Sequence, residues 1–286
     1  MNVNTKSQNE ETSQTEMANT KDNPQLATLL QRLEDCQALV ETELVNYMAE
    51  TEFTQAAQGY VLSVVIPVYN EENTVARVIS RVAALPINTE IVVVDDFSTD
   101  GTREILTKLN DIPGLKVILQ EKNQGKGAAL RTGFENVTGD FVIVQDADLE
   151  YDSRDIPQLL MPLIEGRADV VYGSRFIGEE QQDESWIHRM GNAVLTGASN
   201  IFSGLQLTDM ETCYKVFVRS AIQDVEIQQD RFGIEPGVTA KLARRGYRFM
   251  EVPITYQSRG YDEGKKIGVK DLFNAFYCIG RYGISD

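Results

Sequence analysis

The sequence has little of what several common kinds of functional site require. Its 286 residues include three cysteines and a single histidine. Cys36, Cys213 and Cys278 are widely spaced and form no C-x-x-C pair, so neither a disulfide framework nor a zinc site is predicted. His188 alone cannot build a histidine metal site, and a Ser-His-Asp triad is disfavoured for the same reason. The chemistry is therefore expected to rest on carboxylates, lysines and arginines.

Positive charge and long apolar runs are also scarce. Lysine and arginine number 27 against 43 acidic residues, for a net charge of −16. This balance argues against nucleic acid as a partner, which would need a basic face. No apolar run approaches the roughly 20 residues of a membrane span, and the N-terminus lacks the basic-then-apolar pattern of a signal peptide. We expect a cytoplasmic protein, either soluble or peripheral on the cytoplasmic face of a membrane.

The chain is predicted to have three parts. Residues 1–22 are polar and poor in large apolar groups, which is typical of a disordered tail. Within residues 23–59, leucines recur at helical spacing and predict an amphipathic helix. This helix either packs on its own domain or binds a partner, for which a membrane protein and a second copy of the chain are the alternatives. Residues 60–286 are expected to form the main domain.

From residue 60 onward, apolar strands alternate with helices. The pattern predicts strands at 61–66, 90–94, 116–119 and 140–144, and helices at 73–84, 102–109 and 127–137. Such alternation predicts an α/β fold with a mostly parallel central sheet and helices on both faces. Further on the pattern is less regular, with helices predicted at 156–165, 186–202, 235–245 and 269–282 and strands at 168–172, 210–218 and 248–254. Open parallel sheets bind ligands beyond the carboxyl ends of their strands.

The first predicted strand is followed by a cluster of polar and aromatic residues, Pro67-Val68-Tyr69-Asn70-Glu71-Glu72. Tyr69 is suited to stacking on a nucleotide base. Asn70 and Glu71 are suited to accepting hydrogen bonds from a base or a ribose. The alternative is an ordinary strand exit in which Asn70 caps the next helix.

Two adjacent acids, Asp95 and Asp96, end the second strand. Burying charge without a partner is costly, so two acids at the end of a buried strand require a reason. Carboxylates placed there are suited to ribose hydroxyls or to a base N–H. Asp100 precedes the next helix, and capping of that helix explains its position as well as a binding role does.

A glycine-containing loop, residues 123–131, opens the next helix. Its glycines allow close approach of the backbone, and the amides of a helix N-terminus favour anions. Lys126 and Arg131 add positive charge. The spacing differs from that of a Walker loop, because Lys126 lies between the two glycines. The loop is interpreted as a neighbour of donor phosphates, with a plain turn as the alternative.

An acidic segment, Gln145-Asp146-Ala147-Asp148-Leu149-Glu150, follows the fourth strand. Carboxylates at positions i and i+2 of an extended segment point the same way. Like charges held so close favour a bound cation. Oxygen ligands suit Mg²⁺ or Mn²⁺, and Mg²⁺ often bridges carboxylates and substrate phosphates. Asp146 and Asp148 are therefore the candidate metal ligands, with Glu150 as a candidate third.

Taken together, residues 61–282 resemble the family 2 glycosyltransferases of the GT-A fold. The resemblance rests on S-V-V-I-P-V-Y-N-E (63–71), V-V-V-D-D-F-S-T-D-G-T (92–102), N-Q-G-K-G-A-A-L (123–130) and Q-D-A-D (145–148). The second half resembles the branch of dolichol-phosphate mannose synthases and polyprenyl-phosphate glycosyltransferases. The segments that carry this are Y-G-S-R-F (172–176), D-M-E-T-C-Y-K-V-F (209–217), F-G-I-E-P (232–236) and E-G-K-K-I (263–267).

The resemblance implies a function and a set of site residues. It implies an inverting, metal-dependent enzyme that moves a hexose from a nucleotide sugar, of GDP-mannose or UDP-glucose type, to a polyprenyl or dolichyl phosphate at a membrane surface. The nucleotide-sugar site is expected to comprise Pro67, Tyr69, Glu71, Asp96, Lys126, Asp146 and Ala147. The expected metal ligands are Asp146, Asp148 and Glu150. The acceptor phosphate is expected to bind Arg175 and Arg189, and Arg259 and Lys266 are expected near the donor phosphates or the acceptor phosphate.

The catalytic roles are expected to fall on Asp148, Arg175, Arg189 and Glu211. A phosphate acceptor is already an anion and needs no strong base, so arginines would neutralise it while the metal neutralises the leaving diphosphate. An acceptor with a sugar hydroxyl, in polysaccharide or glycolipid synthesis, would need a carboxylate base. Glu211 or Asp209 is then the candidate base. A non-catalytic scaffold that assembles through its N-terminal helix is the third hypothesis.

Overall fold

The computed structural model describes residues 48–110, 112–178, 186–230, 233–258 and 269–284. The predicted tail and most of the predicted N-terminal helix lie outside these residues. Residues 48–56 are helical. The chain divides into two compact units, Met1–Glu52 and Phe53–Asp286. All the strands and helices named below belong to the second unit, and its core includes Phe53 and Ala57.

A seven-stranded sheet forms the centre of this unit, with the strand order β3-β2-β1-β4-β6-β5-β7. The strands are β1 (Val61–Val68), β2 (Asn88–Asp95), β3 (Leu115–Leu119), β4 (Phe141–Val144), β5 (Val170–Ser174), β6 (Lys215–Val218) and β7 (Phe249–Pro253). β1 pairs in parallel with β2 and with β4, and β3 and β7 also lie parallel to their neighbours. Only β6 runs antiparallel within this sheet, between β4 and β5. The predicted α/β architecture with a mostly parallel sheet is confirmed.

Helices connect the strands. They are α1 (Val75–Ala83), α2 (Thr102–Leu109), α3 (Lys126–Phe134), α4 (Ile156–Ile164), α5 (Trp186–Ser203), α6 (Arg219–Gln223), α7 (Ile234–Arg244) and α8 (Val269–Ile284). α1 shows why these segments fold as they do, because Val75, Val78, Ile79 and Val82 lie on one face and are all buried. No helix among the described residues is both long enough and apolar enough to cross a membrane.

One predicted strand, 210–218, is wrong in its first half. β6 begins only at Lys215, where pairing with β5 starts. The preceding backbone amides donate instead to side chains: Met210 to the Thr196 hydroxyl at 3.1 Å and Cys213 to the Tyr151 hydroxyl at 3.0 Å. Side chains from distant parts of the chain therefore replace the strand-to-strand hydrogen bonds that the apolar pattern predicted.

Backbone strain is concentrated at the carboxyl edge of the sheet. Asn70, Phe97 and Leu149 have positive φ angles of 57°, 65° and 65°. They follow β1, β2 and β4 respectively. A left-handed conformation costs a non-glycine residue roughly 1–2 kcal/mol, and such strain tends to occur at functional sites. The three neighbouring strand ends are therefore the place to look for a site.

Candidate active site

The loops after β1 and β2 are hydrogen-bonded to each other. The Asn70 side-chain oxygen accepts from the Thr99 amide at 2.8 Å, and the Ser98 hydroxyl accepts from the Asn70 amide at 2.9 Å. The Glu71 amide donates to the Thr102 hydroxyl at 2.9 Å. Asn70 therefore joins the two loops and does not cap α1. The two predicted nucleotide-binding segments form one structural element.

This element exposes two aromatic rings. The side chains of Tyr69 and Phe97 are about 40% and 39% exposed, which is a large fraction for their size. Pro67 beside them is half-buried. The Glu71 carboxylate accepts from the Thr74 hydroxyl at 2.7 Å. The Arg103 guanidinium lies 5.0 Å from the centre of the Phe97 ring, and the stacking of Tyr69 on a base stays a prediction.

Asp95 and Asp96 have different roles. Asp96 accepts from the amides of Gln124 and Gly125, each at 2.7 Å, and so connects the end of β2 to the glycine loop. Asp95 is fully buried and pairs with the Arg103 guanidinium at 2.6 Å. Its Oδ1 has no hydrogen-bond partner within the described parts of the chain. The sequence analysis missed Arg103, although a buried acid followed by an arginine on the next helix was an available signal.

The glycine loop packs closely against a distant segment. The Ala128 amide donates to the Asp230 carbonyl at 3.1 Å. A Cβ added at Gly127 would overlap the carbonyl oxygen of Gln229. Arg131 also faces this segment and pairs with the Asp230 carboxylate at 2.7 Å. Gly127 is therefore required by this close approach of two backbones.

Gly127→Ala is expected to lower the free energy of unfolding by about 1–3 kcal/mol, because the added methyl group would overpack a site bounded by backbone. At an ordinary glycine inside a helix the effect is opposite, and replacement by alanine raises the free energy of unfolding by about 1 kcal/mol. Gly191→Ala in α5 is the matched control, since nothing lies within 4 Å of its added Cβ. Urea unfolding of both variants checks the difference in sign, and equal effects would contradict it.

The acidic segment after β4 binds a lysine. Lys126 Nζ lies 2.9 Å from Oδ1 and 3.0 Å from Oδ2 of Asp146, and 3.8 Å from the Glu235 carboxylate. Burial alone would lower the pKa of Lys126, but Asp146 and Glu235 raise it well above its ordinary value. Lys126 is therefore a stable cation at the candidate metal site.

The other members of this segment have different surroundings. Asp148 is half-buried, and its Oδ1 accepts from the Glu150 amide at 3.1 Å. The Glu150 carboxylate accepts from the Tyr256 hydroxyl at 2.8 Å. Ala147 is buried. Among the described residues, no three histidines, cysteines or acids gather as a metal-binding group, so Glu150 does not lie with Asp146 and Asp148 in such a cluster.

The remaining pair of carboxylates still fits a hard divalent cation. Mg²⁺ is usually held by one or two carboxylates, with substrate phosphates and water completing its shell. Asp146 and Asp148 place two half-buried carboxylates after the end of β4. The residues therefore fit a cation that is completed by a phosphate-bearing substrate better than one enclosed by protein alone.

Beyond this centre, Arg175 is bound to Asp209. Its Nε and Nη2 lie 2.7 Å and 2.9 Å from the two carboxylate oxygens, and the Asp209 side chain is fully buried. The Arg175 guanidinium also lies 5.0 Å from the centre of the Tyr256 ring. Arg189 is exposed, with its guanidinium 5.7 Å from the centre of the Phe176 ring. Arg259 and Lys266 lie outside the described residues.

Glu211 is half-buried, and its Oε1, which is shielded from solvent, has no hydrogen-bond partner among the described residues. Burial, and next the Glu235 carboxylate, raise its pKa to about 7. Lys215 and Arg175 act in the opposite direction. The Glu211 carboxyl group therefore changes protonation state near neutral pH, which suits a group that exchanges protons during a reaction.

The raised pKa of Glu211 predicts a loss of stability with increasing pH. Its folded value lies above the unfolded value of 4.5, so its favourable contribution is complete below 4.5 and is lost as pH rises through about 7. The loss is about 3 kcal/mol. Glu211→Gln is expected to remove this loss and so to be the more stable protein at pH 8. Urea unfolding at pH 5 and pH 8 checks this against the exposed control Glu104→Gln, and parallel pH profiles for all three proteins would contradict it.

The chain belongs to the glycosyl transferase family 2, whose model matches residues 63–226. It is 31% identical over 225 residues to the undecaprenyl-phosphate 4-deoxy-4-formamido-L-arabinose transferase of Aeromonas hydrophila subsp. hydrophila, covering 77% of this chain and 66% of that one. It is 34% identical over 197 residues to glycosyltransferase AglJ of Haloferax volcanii, covering 68% and 63% of the two chains. The chain thus spans about two thirds or less of the length of these curated relatives.

Solved structures agree on the fold. Mannosyl-3-phosphoglycerate synthase from Rubrobacter xylanophilus superposes with a TM-score of 0.62 at 20% identity, over 80% of this chain and 75% of that one. Glucosyl-3-phosphoglycerate synthase from Mycobacterium tuberculosis, in complex with Mn²⁺, UDP-glucose and phosphoglyceric acid, superposes with a TM-score of 0.60 at 21% identity, over 81% and 84%. The chain has the GT-A fold, as its motifs predicted.

Proposed function

We propose that this glycosyltransferase is an inverting, divalent-cation-dependent enzyme that transfers a hexose from a nucleoside diphosphate sugar to a polyprenyl phosphate. The observation that carries this is the pair Asp146 and Asp148 at the end of β4, beside the joined loops of β1 and β2. The likeness to an undecaprenyl-phosphate transferase supports a lipid phosphate as acceptor.

The donor is proposed to lie along the carboxyl edge of the sheet. Its base stacks on Tyr69, next to Pro67, Glu71 and Asp96, and its diphosphate reaches the segment 146–148. Asp146 and Asp148 would hold Mg²⁺ or Mn²⁺, which would supply charge neutralisation for the diphosphate. Lys126 contributes a positive charge at the same position. The fixed charges at this edge favour departure of the nucleoside diphosphate without a proton donor.

The acceptor is proposed to approach from the side of β5 and α5. Arg189 is exposed there, and Arg175 lies behind it, with both guanidinium groups against the Phe176 ring at 5.7 Å and 5.5 Å. The charge of Arg175 is already balanced by Asp209. Arg175 therefore acts mainly by positioning the site and less by neutralising the acceptor phosphate. For Arg259 and Lys266, outside the described residues, binding to a donor or acceptor phosphate is proposed from the family resemblance alone. A phosphate acceptor carries its own negative charge and attacks the sugar without a general base.

The test is an assay of lipid product with a panel of GDP- and UDP-sugars, a polyprenyl phosphate, and Mg²⁺ or Mn²⁺. Lipid-linked sugar is expected with at least one donor, and EDTA is expected to abolish it. The dephosphorylated polyprenol is the matched control acceptor and is expected to give no product. Absence of lipid product with every donor would overturn the proposal.

A second candidate function is transfer to a sugar hydroxyl. The observation that favours it is the raised pKa of Glu211, about 7, because such a carboxylate is suited to accept a proton from a hydroxyl near neutral pH. Turnover on a soluble sugar acceptor, with a rate that Glu211→Gln lowers by about 10²–10⁴-fold, would establish this candidate. On a lipid phosphate, the same substitution is expected to leave most of the rate.

A further inference from the structure

Lys126 lies between two carboxylates from different parts of the fold. Its Nζ is 2.9 Å from Asp146 Oδ1, at the end of β4, and 3.8 Å from Glu235 Oε1, in the first turn of α7. The three side chains are only 21%, 20% and 11% exposed. Water therefore has limited access to these charges, and each depends on the others for neutralisation.

In this arrangement Lys126 and the proposed cation compete for the same carboxylate. Lys126 Nζ lies within hydrogen-bond distance of both oxygens of Asp146, at 2.9 Å and 3.0 Å. A divalent cation that binds Asp146 therefore competes with the ammonium group for these oxygens and repels it. A lysine left without an anion in a poorly solvated site is strongly unfavourable. Binding of the cation is easier if a second anion is already close to Lys126.

We propose that Glu235 is a positioning residue that retains Lys126 when a divalent cation takes Asp146. The inference rests on the proposed function, since it assumes the cation site at Asp146 and Asp148. Glu235 does not contact the cation. Its charge keeps the displaced ammonium beside the site, where it faces the donor diphosphate, and so lowers the cost of opening Asp146.

Glu235 also has neighbours other than Lys126, through which a substitution would act on the structure alone. It lines a cavity together with Lys126, Cys213 and Lys215, and its charge acts on Glu211. Removing that charge therefore affects more than one group. The specific prediction is a coupling: the effect of Glu235 on cation binding must depend on the presence of Lys126.

The experiment measures Mn²⁺ binding to the full chain from the electron paramagnetic resonance signal of free Mn²⁺, with Asp148→Asn defining the binding that belongs to the site. Glu235→Gln is expected to weaken site binding about tenfold, a coupling typical of groups in one charge network. In the Lys126→Met background the same substitution is expected to change binding less than twofold. Glu226→Gln is the control, because it removes an exposed charge from the same part of the chain.

Glu235→Asp retains the charge, and its affinity for Mn²⁺ is expected to lie within about threefold of that of the unmodified chain. Melting temperatures verify that each variant is folded. Unchanged binding in Glu235→Gln, or an equal loss with and without Lys126, overturns the role of Glu235. If the unmodified chain shows no Asp148-dependent Mn²⁺ binding, the cation site of the proposed function is rejected, and the inference is rejected with it.

Discussion

Asp148→Asn is expected to reduce sugar transfer by about a thousandfold while the protein stays folded. The carboxylate is one of two proposed ligands for a cation that stabilises charge by several kcal/mol, and each 1.4 kcal/mol is worth about tenfold in rate. Its Oδ1 accepts from the Glu150 amide, and an asparagine oxygen can accept the same bond. The substitution thus removes the charge and retains the turn. The measurement is kcat with saturating donor, acceptor and Mn²⁺.

Asp152→Asn is the matched control for this prediction. Asp152 lies a few residues further along the same segment and pairs at 2.6 Å with Arg154, whose side chain is 88% exposed. A surface pair of this kind contributes little to stability, so the rate of sugar transfer is expected to stay within about twofold of that of the unmodified chain. If Asp148→Asn lost less than about tenfold, the assignment of a metal to this pair would be wrong.

Arg175→Met is expected to lower the free energy of unfolding by about 3–5 kcal/mol. The substitution retains the apolar stem but leaves Asp209, whose side chain is fully buried, without its bidentate partner. Removing one member of a buried pair carries this cost because the other charge stays out of water and uncompensated. Urea unfolding at neutral pH, with the slope on urea compared between proteins, gives the value.

Arg248→Met is the control for Arg175. Arg248 also contacts an aspartate through two nitrogens, Nε at 2.9 Å and Nη2 at 2.7 Å from Asp169. The two side chains are 55% and 24% exposed, so the expected cost is under about 1 kcal/mol. Similar losses for both variants would mean that burial does not set the strength of these pairs. A small loss for Arg175→Met, together with lost activity, would assign Arg175 to the acceptor alone.

β1, β2 and β4 could be located from the sequence because their local pattern and their tertiary environment agree. Each contains a run of buried residues, 62–66, 91–95 and 141–144, in the mostly parallel sheet. The acids that follow them are placed by the strands themselves. This is why the segment from Asp146 to Asp148, and the loops at Asn70 and Asp96, could be located at one edge from sequence alone.

Other features depend on contacts between distant residues and have no local pattern. The pairing of Lys126 with Asp146 joins a helix N-terminus to a different strand. Asp209 and Arg175 meet although they lie 34 residues apart in the chain, and the segment before β6 bonds to side chains instead of extending the strand. The sequence analysis placed Lys126 near phosphate and Arg175 near an acceptor, but it did not find the carboxylate that each one binds.

The antiparallel direction of β6 has a consequence for how the enzyme can diversify. Since β6 is reversed, its amino end lies at the same edge as the carboxyl ends of β4 and β5. Residues 209–214 therefore reach this edge from a connection that follows α5, and the Cys213 amide bonds there to the Tyr151 hydroxyl, beyond β4. Insertions or substitutions in that connection are expected to change this part of the edge without lengthening the loops after β1, β2 and β4. One reversed strand thus brings a second connection, encoded in a separate part of the chain, to the candidate site.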